Sequence, residues 1–153
     1  MRDHGRIRVV ITGLICVVLL CCSGCPKSNN AVDLYLDGIL LTEYDEDEKA
    51  VEKLKEAVKA DKKFSYAYSV LGQVYEKMED YPNSAASYEK ATEINPDSLK
   101  DFMGLGRVYK IMKELAKAVD AYARACEIDP NHLQAHLNAA KCYVELEDFD
   151  NAL

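Results

Sequence analysis

The sequence predicts an all-α solenoid built from stacked antiparallel helix pairs. Three observations carry that expectation. A 34-residue period runs along the chain without gaps. Each half-period has apolar residues at helical spacing. Small residues recur at one register of each half, so that paired helices can approach closely. Internal repetition with a period of roughly 20–50 residues marks a repeat architecture.

The first thirty residues stand outside the period. Met1–Arg8 carries Arg2, Arg6 and Arg8, Val9–Cys22 is an uncharged and mostly apolar run, and Ser23-Gly24-Cys25 follows. A basic start, a short apolar middle and small residues at the end form the layout of a secretory signal over residues 1–24. A spanning helix needs about twenty apolar residues. An uncleaved anchor from Val9 to Cys25 is therefore the alternative, and a marginal one. Pro26–Asn30 reads as a polar linker, which reaches at most ~18 Å when extended.

Four units follow, at 31–64, 65–98, 99–132 and 133–153. The second carries Tyr68, Leu71, Gly72, Tyr75, Ser84, Tyr88, Ala91 and Pro96. The third has Phe102, Leu105, Gly106, Tyr109, Ala118, Tyr122, Ala125 and Pro130 at the same places. The first is weaker, with Leu34, Gly38, Leu41, Ala50, Leu54 and Ala57, and with Asp37 and Lys62 where Leu and Pro stand elsewhere. The fourth has His136, Ala139, Ala140, Tyr143 and Ala152. A glycine inside a helix costs ~1 kcal/mol against alanine, so Gly38, Gly72 and Gly106 at one register need a packing reason. Close crossing of two helices supplies it. Asn95-Pro96-Asp97-Ser98 and Asp129-Pro130-Asn131-His132 punctuate the units: Pro ends one helix, and Asp, Asn or Ser caps the next. Pro82 falls in the first turn of its helix, where a missing N–H is harmless.

These positions resemble the tetratricopeptide repeat, an aromatic–Leu–Gly–Tyr helix followed by an Ala–aromatic–Ala helix and a Pro. The resemblance runs from about Ala31 to the end. It implies a right-handed superhelix with a grooved inner wall, and a protein-binding scaffold rather than an enzyme. Asp37, Glu43 and Asp45–Glu48 give the first unit a polar outer side that fits an end cap. The fourth unit is expected to stop inside its second helix, leaving Phe149 and Leu153 little to pack on. The sequence then reads as a fragment, or as a chain once followed by more repeats or another domain. An enzyme whose repeats serve only as a targeting arm is the alternative in that case.

A second resemblance lies in Cys22-Ser23-Gly24-Cys25, which is similar to a bacterial lipobox with Cys22 in the usual place of Leu. It implies cleavage before Cys25 and lipidation of Cys25 within a 25–30 segment, hence attachment to the membrane through an N-terminal lipid. Several acyl chains at ~0.8 kcal/mol per buried CH₂ anchor a protein firmly, whereas one does not. Pro26 follows Cys25 with no Asp to direct inner-membrane retention, so the outer membrane is favoured. Similar lipoproteins assist pilus, secretion or outer-membrane assembly.

Charge narrows the partners. The chain has 19 basic and 26 acidic residues. Residues 1–24 hold three Arg and one Asp, so 16 and 25 follow them. Such an acidic chain has no electrostatic footprint for nucleic acid, and anionic lipid would repel it.

The candidate binding surface is the first-helix face turned away from the core, at spacing i, i+3, i+7, i+10. It comprises Val32, Tyr35, Ile39 and Thr42; Tyr66, Ser69, Gln73 and Glu76; Lys100, Met103, Arg107 and Lys110; and Gln134, Leu137, Lys141 and Val144. The later half is basic. Other proteins or peptides that combine an acidic stretch with a hydrophobic anchor suit it, held by charge-assisted bonds from Arg107 and the lysines. Some relatives clamp heat-shock chaperone carboxylates with a Lys and an Asn, but Tyr35 and Ile39 stand there here. No cofactor is implied. His132 and His136 lack a completing ligand, and Glu43–Glu48 lacks the glycine and spacing of a calcium loop. Cys126 and Cys142 read as small core residues, with a disulfide as the lesser alternative in an oxidising compartment.

Overall fold

The computed structural model describes residues 30–151, with side chains to Glu147. The signal segment, Cys25 and the linker up to Asn29 lie outside the described residues, as do Ala152 and Leu153. Seven helices occupy the described part: α1 Ala31–Glu43, α2 Asp47–Ala60, α3 Ser65–Lys77, α4 Tyr81–Ile94, α5 Leu99–Ile111, α6 Leu115–Ile128 and α7 Leu133–Asn151. There is no strand among them. Each of the first three units is an antiparallel pair, and each pair packs on the next. The result is an all-α solenoid.

Local chemistry sets the helix starts. Asn30 accepts a bond from the Asp33 N–H at 2.8 Å and caps α1. Asp80 caps α4, with Pro82 in its first turn. Ser98 caps α5. At α7 the capping acceptor is a residue type the sequence did not point to: His132 Nδ1 takes the Ala135 N–H at 3.2 Å. The intra-pair turns are strained at one fixed place. Asp45, Glu79 and Lys113 have φ of 58°, 61° and 63°, which disfavours a residue with a Cβ. Tertiary packing of the returning helix offsets that strain.

The small-residue register does what close crossing requires. A Cβ built on Gly38 would stand 2.7 Å from Leu54 Cγ, one on Gly72 2.8 Å from Tyr88 Cδ1, and one on Gly106 2.7 Å from Tyr122 Cε1. The partners Leu54, Tyr88 and Tyr122 are at most 1% exposed. Gly104 was not singled out in the sequence, yet its approach is tighter, at 2.6 Å from Tyr88 Cζ. Tyr88 therefore wedges between its own unit and the next, and glycines flank it on both sides. Ser84 closes the same crossing by donating its hydroxyl to the Gly72 carbonyl at 2.7 Å.

Two expectations are corrected. The fourth unit does not turn: α7 continues from Leu133 to Asn151 through the place where the other units reverse. The end cap is also less polar than read. Val32, Leu36 and Leu40 of α1 are 54%, 55% and 51% exposed.

Candidate functional site

The exposed wall formed by α1, α3, α5 and α7 is the candidate site. Its central feature is an ion-pair junction between α3 and α5. Arg107 donates to Glu76 through Nε at 2.5 Å and Nη2 at 2.8 Å. The Tyr88 hydroxyl donates to the same carboxylate at 3.3 Å. Donating to the Glu76 carboxylate raises the guanidinium pKa above its already high ordinary value. Burial, reinforced by the Glu76 charge, holds the Tyr88 hydroxyl protonated. Glu76 thus joins the groove to the buried tyrosine wedge.

A second junction ties α5 to α7. Lys110 meets Glu145 at 2.7 Å, with Lys113 at 4.0 Å from the other oxygen. The hydrogen bond that Lys110 donates to Glu145 raises the Lys110 pKa.

A third, buried junction lies beneath the wall. Asp101 is 4% exposed and accepts the Ser69 hydroxyl at 2.5 Å and the Ser98 hydroxyl at 2.6 Å. A carboxylate so placed needs donors; Ser69 of the preceding first helix supplies one, and Ser98, the cap of Asp101's own helix, supplies the other.

These junctions redistribute the expected binding residues. Ser69, expected on the open wall, is buried at 6% and spent on Asp101. Gln73 bonds back to the Ser69 carbonyl at 3.0 Å. Arg107 and Lys110 carry carboxylates of their own. Tyr66 is open at 65%, edge-on to Phe64. Lys100 and Lys141 are exposed and have no ion-pair partner among the described residues. Gln134 is exposed and bonds Asn138 at 2.8 Å. Leu137 and Val144 are exposed at 45% and 59%, while Met103 is half-buried. The pairings were not legible in the sequence because Glu76–Arg107 spans 31 residues and Lys110–Glu145 joins different units. The 34-residue period makes them visible in hindsight, since each partner lies about one unit away.

Residues 65–98 and 102–132 match models of the tetratricopeptide repeat. The chain carries two tetratricopeptide repeats. Solved structures agree on the fold. Two crystal structures of MamA superpose with TM-scores of 0.74 and 0.73, at 25% and 26% identity. They cover 79% and 81% of this chain, and 71% and 68% of theirs. The first repeat domain of Spaghetti (RPAP3), bound to the HSP90 peptide SRMEEVD, superposes at 0.71 with 18% identity, over 76% of this chain and 93% of that one. Among curated proteins, none matches the chain in sequence. The repeats and their structural neighbours support a scaffold for protein–protein interaction.

Cys126, Cys142, His132 and His136 serve the frame. Cys126 and Cys142 are free thiols, and burial raises the pKa of both. The buried Cys142 is a core residue packed with Val108 and Tyr122. His136 Nε2 lies 2.9 Å from the Pro130 carbonyl, which fixes it to the inter-unit turn.

Proposed function

We propose that this chain is a lipid-tethered scaffold of the bacterial cell envelope. It takes a partner peptide along the α5–α7 end of its inner wall. The observation that carries the reading is that exposed apolar residues and uncommitted cations share this wall: Leu137 and Val144 with Lys141 on α7, and Lys100 on α5. A segment with a hydrophobic anchor and nearby carboxylates matches that surface. The peptide held by the RPAP3 neighbour has this character, with Met and Val among two Glu and one Asp. The Lys-and-Asn carboxylate clamp is replaced by Tyr35 and Ile39 here, so the contacts differ. Arg107 acts as a brace, because Glu76 already satisfies it.

The tether is Cys25, cleaved and lipidated, with the outer membrane as its site and secretion, pilus or outer-membrane assembly as the process served. The short linker then holds the solenoid against the membrane face. Mass spectrometry of the membrane-extracted protein tests this part. A diacylglyceryl-modified N-terminal Cys25 without Met1 is expected, and a retained Met1 would rule it out.

The groove is tested by crosslinked pull-down from the native envelope, comparing the unsubstituted protein with Lys100→Glu plus Lys141→Glu. The double substitution is expected to lose the partner. An identical catch from both removes the groove reading, and circular dichroism confirms that the variant is folded.

A further inference from the structure

The first helices carry equivalent positions 34 residues apart, and four of these positions face the preceding unit. In α3 they are Ala67, Val70, Leu71 and Val74, and in α5 Asp101, Gly104, Leu105 and Val108. The preceding second helix covers them. Leu71 and Val74 share a core with Val51 and Leu54 of α2, and Gly104 lies against Tyr88 of α4. Val74, Val108 and their α7 counterpart Cys142 are at most 3% exposed.

In α1 the same four positions are Asp33, Leu36, Asp37 and Leu40, and all are exposed. Solvation accounts for the two aspartates. It does not account for leucines at two registers that pack inward in the later units, with Val32 extending the stripe.

We propose that this end of the solenoid is a docking surface for an amphipathic helix of a partner protein. The apolar stripe of that helix covers Leu36 and Leu40, and Lys or Arg on its flanks meet Asp33 and Asp37. Charge decides among occupants. Helix α1 has no Lys or Arg and also carries Glu43. A second copy docked face to face would bring these acids together without a cation. A bilayer favours interfacial helices with basic flanks, which α1 lacks. The structure shows what covering a carboxylate at this register demands: Asp101 is buried only with two hydroxyl donors on it. An occupant over Asp33 must bring donors of its own, and a basic helix does so. This surface extends the scaffold reading to a second site, and its test leaves the groove untouched.

The probe is a synthetic peptide with the sequence of residues 47–63, the stretch whose helix covers the equivalent registers of α3. It carries an apolar stripe with Lys49, Lys53, Lys55 and Lys59 around it. The protein is the chain from Pro26 onward, since all three core clusters lie after that residue. The chain has no Trp, so Leu40→Trp reports on this face alone. Peptide is expected to shift the emission to shorter wavelength, saturably. Replacing Lys49, Lys53, Lys55 and Lys59 of its six lysines with Glu, or using Asp33→Lys plus Asp37→Lys, should weaken binding roughly tenfold, as two lost ion pairs and added repulsion predict. Calorimetric titration of the unsubstituted chain checks that the tryptophan has not created the site. The proposal is overturned by no shift with peptide, or by equal binding of the charge-reversed peptide. A shift driven by protein concentration alone would assign the face to a second copy, and one driven by phosphatidylcholine vesicles but not peptide would assign it to a bilayer. Both overturn it as well.

Discussion

The first helix pair and the two that follow meet one packing problem with different side chains. Where α3 crosses α4 and α5 crosses α6, a rigid tyrosine ring lies under a glycine, and Tyr88 reaches on to a second glycine in the next unit. Where α1 crosses α2, Leu54 lies under Gly38, and it also packs with Leu71, Val74 and Tyr75 of the second unit. A planar ring fills more space but yields little to an added Cβ, whereas a branched aliphatic chain can change rotamer. The crossings in the middle of the solenoid should therefore tolerate added atoms less well than the crossing in the first unit.

The sharpest way to break that contrast is to remove the wedges. Tyr88→Ala should cost about 4 kcal/mol and Leu54→Ala about 3 kcal/mol, since both are fully buried and leave cavities. Urea unfolding measures both. The ordering matters more than the values: a larger loss at Leu54 would mean that the first unit, not the tyrosine wedge, holds the stack together.

Adding atoms sharpens the comparison further. Gly104→Ala places a methyl 2.6 Å from a ring held between two helices, and overpacking of this kind should cost about 2 kcal/mol. Gly38→Ala meets Leu54, which can change rotamer, and it regains ~1 kcal/mol of helix propensity. Its net cost should be well below that of Gly104→Ala. Equal melting temperatures for the two variants would show that ring and leucine yield alike.

Much of this contrast could be read from the sequence, and some could not. Period, helix pairing and the tyrosine–glycine register are local or strictly repeated, so spacing alone exposes them. Gly104 escaped because glycine occupies that position in one unit only; Leu36, Val70 and Asn138 stand there otherwise. Ser69 was placed on the open wall by helix geometry. Its burial depends on how far one unit rotates over the next, which no single helix face encodes. The commitment of Arg107 to Glu76 was hidden for the same reason.

Equivalent aspartates give the next test. Asp33 and Asp101 are two periods apart, one exposed and one 4% exposed. Asp101→Ala strands the Ser69 hydroxyl in a buried site and should cost about 1–2 kcal/mol. Asp33→Ala should be nearly neutral, because its backbone N–H keeps the Asn30 cap. Comparable losses at both would mean that the register, rather than burial, sets the cost.

The smallest effect concerns the ion pairs that join units at the two ends. Lys77 of α3 reaches back to Asp45 and Asp47 of the first unit, and Lys110 of α5 reaches on to Glu145 of α7. The hydrogen bond from its lysine lowers the pKa of Asp45 and, likewise, that of Glu145. A carboxyl lowered on folding adds stability that is complete above its unfolded pKa, near 4.5 for Glu145. That stability is lost as pH falls through the lower folded value. Glu145→Gln should therefore melt below the unsubstituted protein at pH 7, and the two curves should converge as the solution is acidified. High salt should shrink the gap at pH 7, since both partners are solvent-accessible and screened. A gap that persisted at pH 2 would show that the glutamate acts through packing rather than charge. The α5–α7 junction would then be of the same kind as the wedge in the middle of the stack.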